Sequence, residues 1–409
     1  MEGSYKIAMV SSKNIRDRNT LSGSSFYILA ALREYIGEVV IIDQLKPARH
    51  SFISIIRFFD FYWRFVLVTA RQLWGQMTSR NYRWERTPLI SKYYAKMIKK
   101  RIKGQPYDFI LTDKGAIEVA YLKTDIPILY LADATFKLMI DAYNDYTDVS
   151  AFEFSALGGS AKKNGHLLEY KAISNSYRCL YYSNWAAQSA MKHYGADPEK
   201  VTVIGQGPYL GQLPGSPADE MREAPPGNEC HLLLVGVDWE RKGCNIAVDA
   251  LTALRGMGIE AYLNICGCEA PSKKRLPSHV NVIPFLDKSR NRDLENLVRL
   301  YERATYFIFP TRAECFGVVL LEALFFGVPV LATNVCGVSD IVKNGTNGFL
   351  FSLEDTGARY AEKIAANFSD PKAYGILQKN SYRFIKEEMN WESWARKLKE
   401  AVRPEASIQ

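Results

Sequence analysis

Short, nearly continuous apolar runs alternate with amphipathic stretches from one end of the chain to the other. YKIAMVS, EVVIIDQ, YDFILTD, PILYLAD and CLYYS read as strands in the first half, and LLLVGV, AYLNICG, VNVIPF, TYFIFP and VPVLAT in the second. Strands that are apolar on both faces belong to parallel sheets covered by helices on either side. One stretch breaks the alternation. GQGPYLGQLPGSPADEMREAPPGNE, residues 205–229, is rich in Gly and Pro and has no period. It predicts a linker between two doubly wound α/β domains, residues 1–204 and 230–389, with a cleft expected between them. An amphipathic helix starts near Trp391 with no strand after it, so the pattern leaves the packing of residues 390–409 open.

Composition agrees with this reading. The 409 residues are 47% hydrophobic and 23% charged, enough to bury two cores. No uncharged apolar run reaches the length of about 18 residues that a membrane helix needs. The N-terminal MEGSYKIAMVSS reads as a first strand and not as a signal peptide. The seven cysteines are scattered without a Cys-x-x-Cys pair and the five histidines are dispersed, so zinc spacing is absent and buried thiols in a reducing cytoplasm are expected.

Charge changes the picture. Lys46 to Lys103 holds 14 Lys and Arg against only Asp60 and Glu85, a local +12, which leaves the rest of the chain at −4 within a total of +8. In SFISIIRFFDFYWRFVLVTARQLW, Arg57, Asp60, Arg64 and Arg71 share one helical stripe beside a wide apolar face. SKYYAKMIKKRIK adds a cationic helix with Tyr93, Tyr94, Met97 and Ile98 opposite its lysines. Such helices either lie on an anionic membrane surface or pack on their own domain with solvated lysines. Nothing resembles an RNA-binding motif, so no nucleic acid partner is expected.

The segment AECFGVVLLEALFFGVPV, residues 313–330, carries Glu314 and Glu322 in otherwise apolar surroundings. TYFIFP before it is a strand ending at Pro310, and Gly327 caps the helix that follows. That helix must start near Gly317, which places Glu314 in the strand-to-helix loop and Glu322 about a turn and a half into the helix. Loops of this kind lie where α/β sheets bind ligands, and free N–H groups at the helix start suit a diphosphate. Two carboxylates beside an anion site need neutral hydroxyl donors, such as those of a sugar and a ribose. The alternative is a helix-start carboxylate and a solvent-facing one, but apolar residues surround Glu322 on every helical face.

The spacing P-T-x-x-E-C-F-G-x-x-x-L-E-A-x-x-x-G-x-P-V resembles the donor-site signature of family 4 of the retaining glycosyltransferases, which have the GT-B fold. VCGVSDIVKNGTNGFLF is similar to that family's Gly-Gly-x-x-Glu-x-Val segment, with Cys336 and Asp340 as substitutions. LLLVGVDWERKGCNIAVDAL, SNWAAQSAMKHYGADPEKVTVIGQG and LSGSSFYILAALRE resemble further family segments. The resemblance implies that Glu314 binds hydroxyls of a donor hexose, with backbone amides of Phe316, Gly317 and Val318 on sugar and phosphate. It gives Glu322 the nucleotide ribose and Lys242 the departing diphosphate. The family usually has arginine where Val237 stands. Arg241 is the substitute, although its place beside Lys242 directs it another way. PFLDK, with Phe285 and Leu286, resembles the loop whose backbone reads the base, which leaves UDP, GDP and ADP unseparated.

In the first domain Gly23 of LSGSS would let its loop approach the diphosphate, the alternative being a helix cap by Ser22 or Ser24. Asp133 stands where many family members have histidine. It either accepts a hydrogen bond from an acceptor or donor hydroxyl, or caps the next helix through Thr135 and Phe136. The expectation is thus a retaining hexosyltransferase, cytoplasmic or peripheral on the cytoplasmic membrane face. It would use a nucleotide diphosphate sugar donor and a hydroxyl acceptor, either lipid-linked or a growing glycan. With no Asp-x-Asp pair, neither a metal nor another cofactor is expected. The competitors are a GT-B sugar-nucleotide epimerase and a non-catalytic sugar-nucleotide-binding subunit. A nicotinamide dehydrogenase is disfavoured, since no G-x-G-x-x-G follows a first strand.

Overall fold

The computed structural model describes residues 4–19, 23–45, 86–143, 157–210, 229–272 and 275–403. Ser22, most of the linker and the charged stripe from Arg57 to Arg71 lie outside the described residues. The chain divides into two compact units, residues 1–205 with 395–409, and residues 206–394.

The first unit is a six-stranded parallel sheet in the order β2-β1-β3-β4-β5-β6. Its strands are β1 (Tyr5–Val10), β2 (Gly37–Ile42), β3 (Phe109–Asp113), β4 (Ile128–Ala132), β5 (Arg178–Tyr181) and β6 (Val201–Val203). The helices are α1 (Ser24–Tyr35), α2 (Pro88–Ile102), α3 (Ala116–Val119), α4 (Phe136–Tyr143), α5 (Gly159–Asn175) and α6 (Asn184–Tyr194). β3 and β4 are buried at every position, as near-continuous apolar runs require when both faces are covered.

α2 shows how the basic segment divides. Thr87 caps it and Pro88 occupies its first turn, a position that needs no N–H. Ile90, Tyr94, Ile98 and Ile102, four residues apart, enter the core with Tyr93, while Lys92, Lys96, Lys99, Lys100 and Arg101 stay exposed. The apolar and aromatic face of this helix is therefore spent on its own domain, with Met97 packed at the margin of the core. Only the cationic face is left outside.

The second unit repeats the plan in the order β12-β11-β10-β7-β8-β9, again all parallel. Its strands are β7 (Glu229–Val235), β8 (Glu260–Cys266), β9 (Val280–Ile283), β10 (Tyr306–Phe309), β11 (Val330–Thr333) and β12 (Gly348–Phe351). The helices are α7 (Cys244–Gly256), α8 (Asn291–Arg303), α9 (Val318–Phe325), α10 (Val338–Ile341), α11 (Gly357–Phe368), α12 (Pro371–Glu387) and α13 (Trp391–Val402). Strand order reverses between β1 and β3 in one sheet and between β7 and β10 in the other. Loops leaving two such neighbours in opposite directions open a crevice at the carboxyl end. α13 begins in the second unit, where Trp391 Nε1 donates to Pro208 O, and from Ala395 onward it belongs to the first, where Arg178 Nε donates to Ala401 O.

One close contact sets the position of α4. Gly165 of α5 faces the Phe136 ring so closely that a Cβ would sit 1.9 Å from Cζ. Gly165→Ala is expected to destabilise the chain by about 1–3 kcal/mol through overpacking, although alanine is the better helix former. A urea midpoint equal to or above wild type would refute this packing.

Candidate active site

The reversal between β7 and β10 brings Lys242 and Glu314 together. Lys242 follows β7, and two glycines make room for it. A Cβ on Gly236 would meet Lys242 Cγ at 2.6 Å, while Gly243, left-handed at φ 68°, would put a Cβ 2.0 Å from Pro310 O. The ammonium is 2.5 Å from Glu314 Oε2 and 4.4 Å from the centre of the Phe309 ring. Burial pushes the Lys242 pKa down, against the pull of Glu314. Burial also pushes the Glu314 carboxyl up, but Lys242 and Arg241 outweigh it and hold the group below its ordinary value. Lys242 and Glu314 thus form a buried pair.

Arg241 does not point another way. It is buried, with Nη1 3.7 Å from the same Glu314 oxygen and donating to Ala313 O at 2.9 Å. Its Nε is 3.7 Å from Asp238. It therefore ties the β7 and β10 loops together as a second cation on Glu314.

Glu322 is the fifth residue of α9 and is fully buried, so the solvent-facing alternative fails. Tyr301 Oη donates to its Oε2 at 2.9 Å, and the Lys288 ammonium pairs with Oε1. Lys288 lies in the PFLDK loop but was not singled out by sequence, because nothing local links it to a carboxylate 34 residues on. α9 starts at Val318 behind Gly317, whose φ of 94° is left-handed and which provides no side-chain cap. The first N–H groups of the helix thus open beside Glu314, and the Phe316 side chain is buried beneath. In the loop after β9, Phe285 is 60% exposed over Gly267; Leu286 is half-buried. Val237, two residues past β7, is 64% exposed and brings no charge to the site.

In the first sheet the corresponding reversal is bridged by hydroxyls. Gly23, left-handed at φ 87°, precedes α1 and makes no side-chain cap. Ser24, the first helical residue, and Ser25 instead donate to Asp113 Oδ2 at 2.5 and 2.8 Å, and Tyr182 Oη donates to Oδ1 at 3.3 Å. Asp113 is a buried anchor at the end of β3 that sequence reasoning missed. Lys114, next in sequence, adopts a left-handed φ of 57°, and its ammonium lies 3.0 Å from Asp133 Oδ2 at the end of β4. Left-handed backbone costs a non-glycine residue about 1–2 kcal/mol. The capping role proposed for Asp133 falls to Thr135, whose Oγ1 accepts from Leu138 N at 3.4 Å. Two more N–H groups of that turn are held from outside, Lys137 by Tyr194 Oη at 2.9 Å and Phe136 by Glu169.

Residues 217–384 match the family model described as Glycosyl transferases group 1, a span that includes every candidate residue from Val237 to Cys336. The chain is 31% identical over 199 residues to a D-inositol 3-phosphate glycosyltransferase of Acidothermus cellulolyticus, covering 45% of this chain and 44% of the relative. It is 30% identical over 169 residues to the lipopolysaccharide glucosyltransferase WaaG of Escherichia coli, covering 38% and 44%. The matches thus span under half the length of these two relatives. The solved structure of Anabaena HepE in complex with UDP and glucose superposes with a TM-score of 0.60 at 15% identity, over 97% of this chain and 99% of that one. That likeness is of fold.

Glu169, which holds the start of α4, generates a pH prediction. It is 3% exposed and accepts from Tyr130 Oη at 2.9 Å. Burial pushes its carboxyl from 4.5 up to about 7, against Tyr130, Arg86 and the Phe136 N–H. Between those two values the folded chain keeps a proton that the unfolded chain has lost. Stability therefore falls as pH rises through this window and levels off above it. Glu169→Gln should gain on wild type in thermal midpoint from about pH 5 to about pH 7.5. A constant difference between the two curves would show that Glu169 does not titrate there.

Proposed function

The chain belongs to the glycosyl transferases of group 1 through residues 217–384 and has the GT-B fold, and from that premise we propose that it transfers a hexose from a nucleotide diphosphate sugar to a hydroxyl acceptor with retention. The observation that carries this reading is the buried Lys242–Glu314 pair beside the open start of α9. In this reading Lys242 receives the charge that develops on the leaving diphosphate. Such charge is stabilised most by groups already oriented in a dry site. Glu314 exchanges part of its ion pair for hydroxyls of the hexose, Glu322 holds the ribose, and Phe285 and Leu286 lie along the base. The bond from the anomeric carbon to the diphosphate breaks, the acceptor oxygen bonds the same face, and the acceptor proton goes to the leaving phosphate oxygen. No metal is required, because Lys242 and the helix N–H groups neutralise the phosphates. The names of the two relatives suggest phosphorylated polyols and lipid-linked glycans as acceptor classes to test.

Calorimetry with UDP, GDP and ADP hexoses, followed by an acceptor panel with the best binder, tests the reading. Lys242→Ala should lower kcat by about a hundredfold or more. Glu322→Ala should weaken affinity for the free nucleotide, and Glu314→Ala should mainly lose turnover. Equal nucleotide affinity in both glutamate variants and wild type would remove the ribose from Glu322. A wild type that binds a nucleotide sugar but transfers it to nothing would favour a binding subunit. One that isomerises the sugar without an acceptor would favour an epimerase.

The exposed cations of α2 support a further part of the reading, in which charge holds the enzyme at an anionic membrane face. Each basic residue near such a surface contributes about 1 kcal/mol. Reversing Lys96, Lys99, Lys100 and Arg101 to glutamate should abolish binding to phosphatidylserine vesicles and leave transfer to a short soluble acceptor intact. Vesicle binding that ignores both added salt and the four reversals would sink the electrostatic anchor.

A further inference from the structure

Lys114 is a residue for which neither the family resemblance nor the sequence pattern offers a role. Its left-handed backbone is held from three sides. Its N–H donates to Leu131 O at 2.7 Å, Asp113 before it is bound by Ser24, Ser25 and Tyr182, and Gly115 after it has no room for a Cβ, which would lie 1.7 Å from Thr112 Oγ1. Strain fixed this firmly by its surroundings is characteristic of functional sites. What the strained turn accomplishes is to set an ammonium on Asp133 Oδ2, with the two side chains 23% and 26% exposed. Asp133 is itself fixed from below, through the start of α4, by Thr135, Tyr194 and Glu169. Among the described residues no donor occupies Asp133 Oδ1.

We propose that Lys114 is a positioning residue for the acceptor, holding Asp133 by Oδ2 so that Oδ1 accepts a hydrogen bond from an acceptor hydroxyl. The proposal rests on the transferase reading above and adds a specific claim to it: Lys114 and Asp133 act as one unit on acceptor use and not on donor binding. A lysine that merely stabilised its turn would lower stability when removed. A lysine held in strain for function would lower transfer while stability stayed level or rose.

The test uses the full chain, the nucleotide sugar that binds best, and octyl glucoside, octyl galactoside and D-inositol 3-phosphate as acceptor probes. Lys114→Gly, which removes the left-handed strain, should keep the thermal midpoint at or above wild type and leave nucleotide affinity unchanged. Its acceptor kcat/KM should fall on the order of a hundredfold, as loss of a positioning contact does. Lys114→Met should lose transfer similarly, Lys114→Arg should recover most of it, and Lys114→Met with Asp133→Asn should be no worse than Asp133→Asn alone. Wild-type acceptor kinetics in Lys114→Gly and Lys114→Met, or losses that multiply in the double variant, would overturn the proposal while leaving the transferase reading in place. A wild type that transfers to none of the probes and to no member of the wider panel would overturn both.

Discussion

The second unit depends on how it buries a lysine. An ammonium taken out of water is costly unless an opposite charge meets it with good geometry. Lys242 is 6% exposed, and what meets it is a carboxylate 72 residues later in the chain. Parallel strands in the order found here put β7 beside β10, so the loops that follow them emerge side by side. Gly236 and Gly243 give the lysine a path, and Arg241 fastens one loop to the other through Ala313 O. Such a pair gives little net stability, since desolvation consumes much of its attraction. It provides fixed charge of both signs in a dry place, which is what the proposed transfer needs when it expels a diphosphate.

The first unit meets the same constraint with different chemistry. At its own reversal Asp113 is buried as deeply, and hydroxyls of Ser24, Ser25 and Tyr182 bind it instead of a cation. The anchor there is rigid and neutral in its partners, and the charged pair, Lys114 with Asp133, is displaced one strand outward to a partly open place. The second unit thus buries its ion pair to hold charge ready. The first buries a hydrogen-bonded carboxylate to hold a turn ready.

Helix α2 shows a division of labour along one segment. Residues at four-residue spacing close the core, and the lysines between them stay in water. Exposed charge of one sign governs association with charged surfaces and says nothing about fold. The segment therefore serves packing and surface potential at once.

Periodicity recorded much of this architecture. The apolar runs mark ten of the twelve strands among the described residues, and the helix start at Trp391 is where the amphipathic pattern placed it. The edge strands β6 and β12 were not read from that pattern, being short and half-exposed. Glu314 and Glu322 were legible as well, because a carboxylate among apolar residues stands out within a few positions. The partners of those groups were not. Lys288 on Glu322, Arg241 turning to Glu314, Asp113 collecting three hydroxyls and Lys114 reaching Asp133 each join residues that only strand order brings together. A residue's own burial is written in its neighbours along the chain. The identity of what it touches is decided by topology, because a hydrogen bond acts over about 3 Å of space and takes no account of sequence distance.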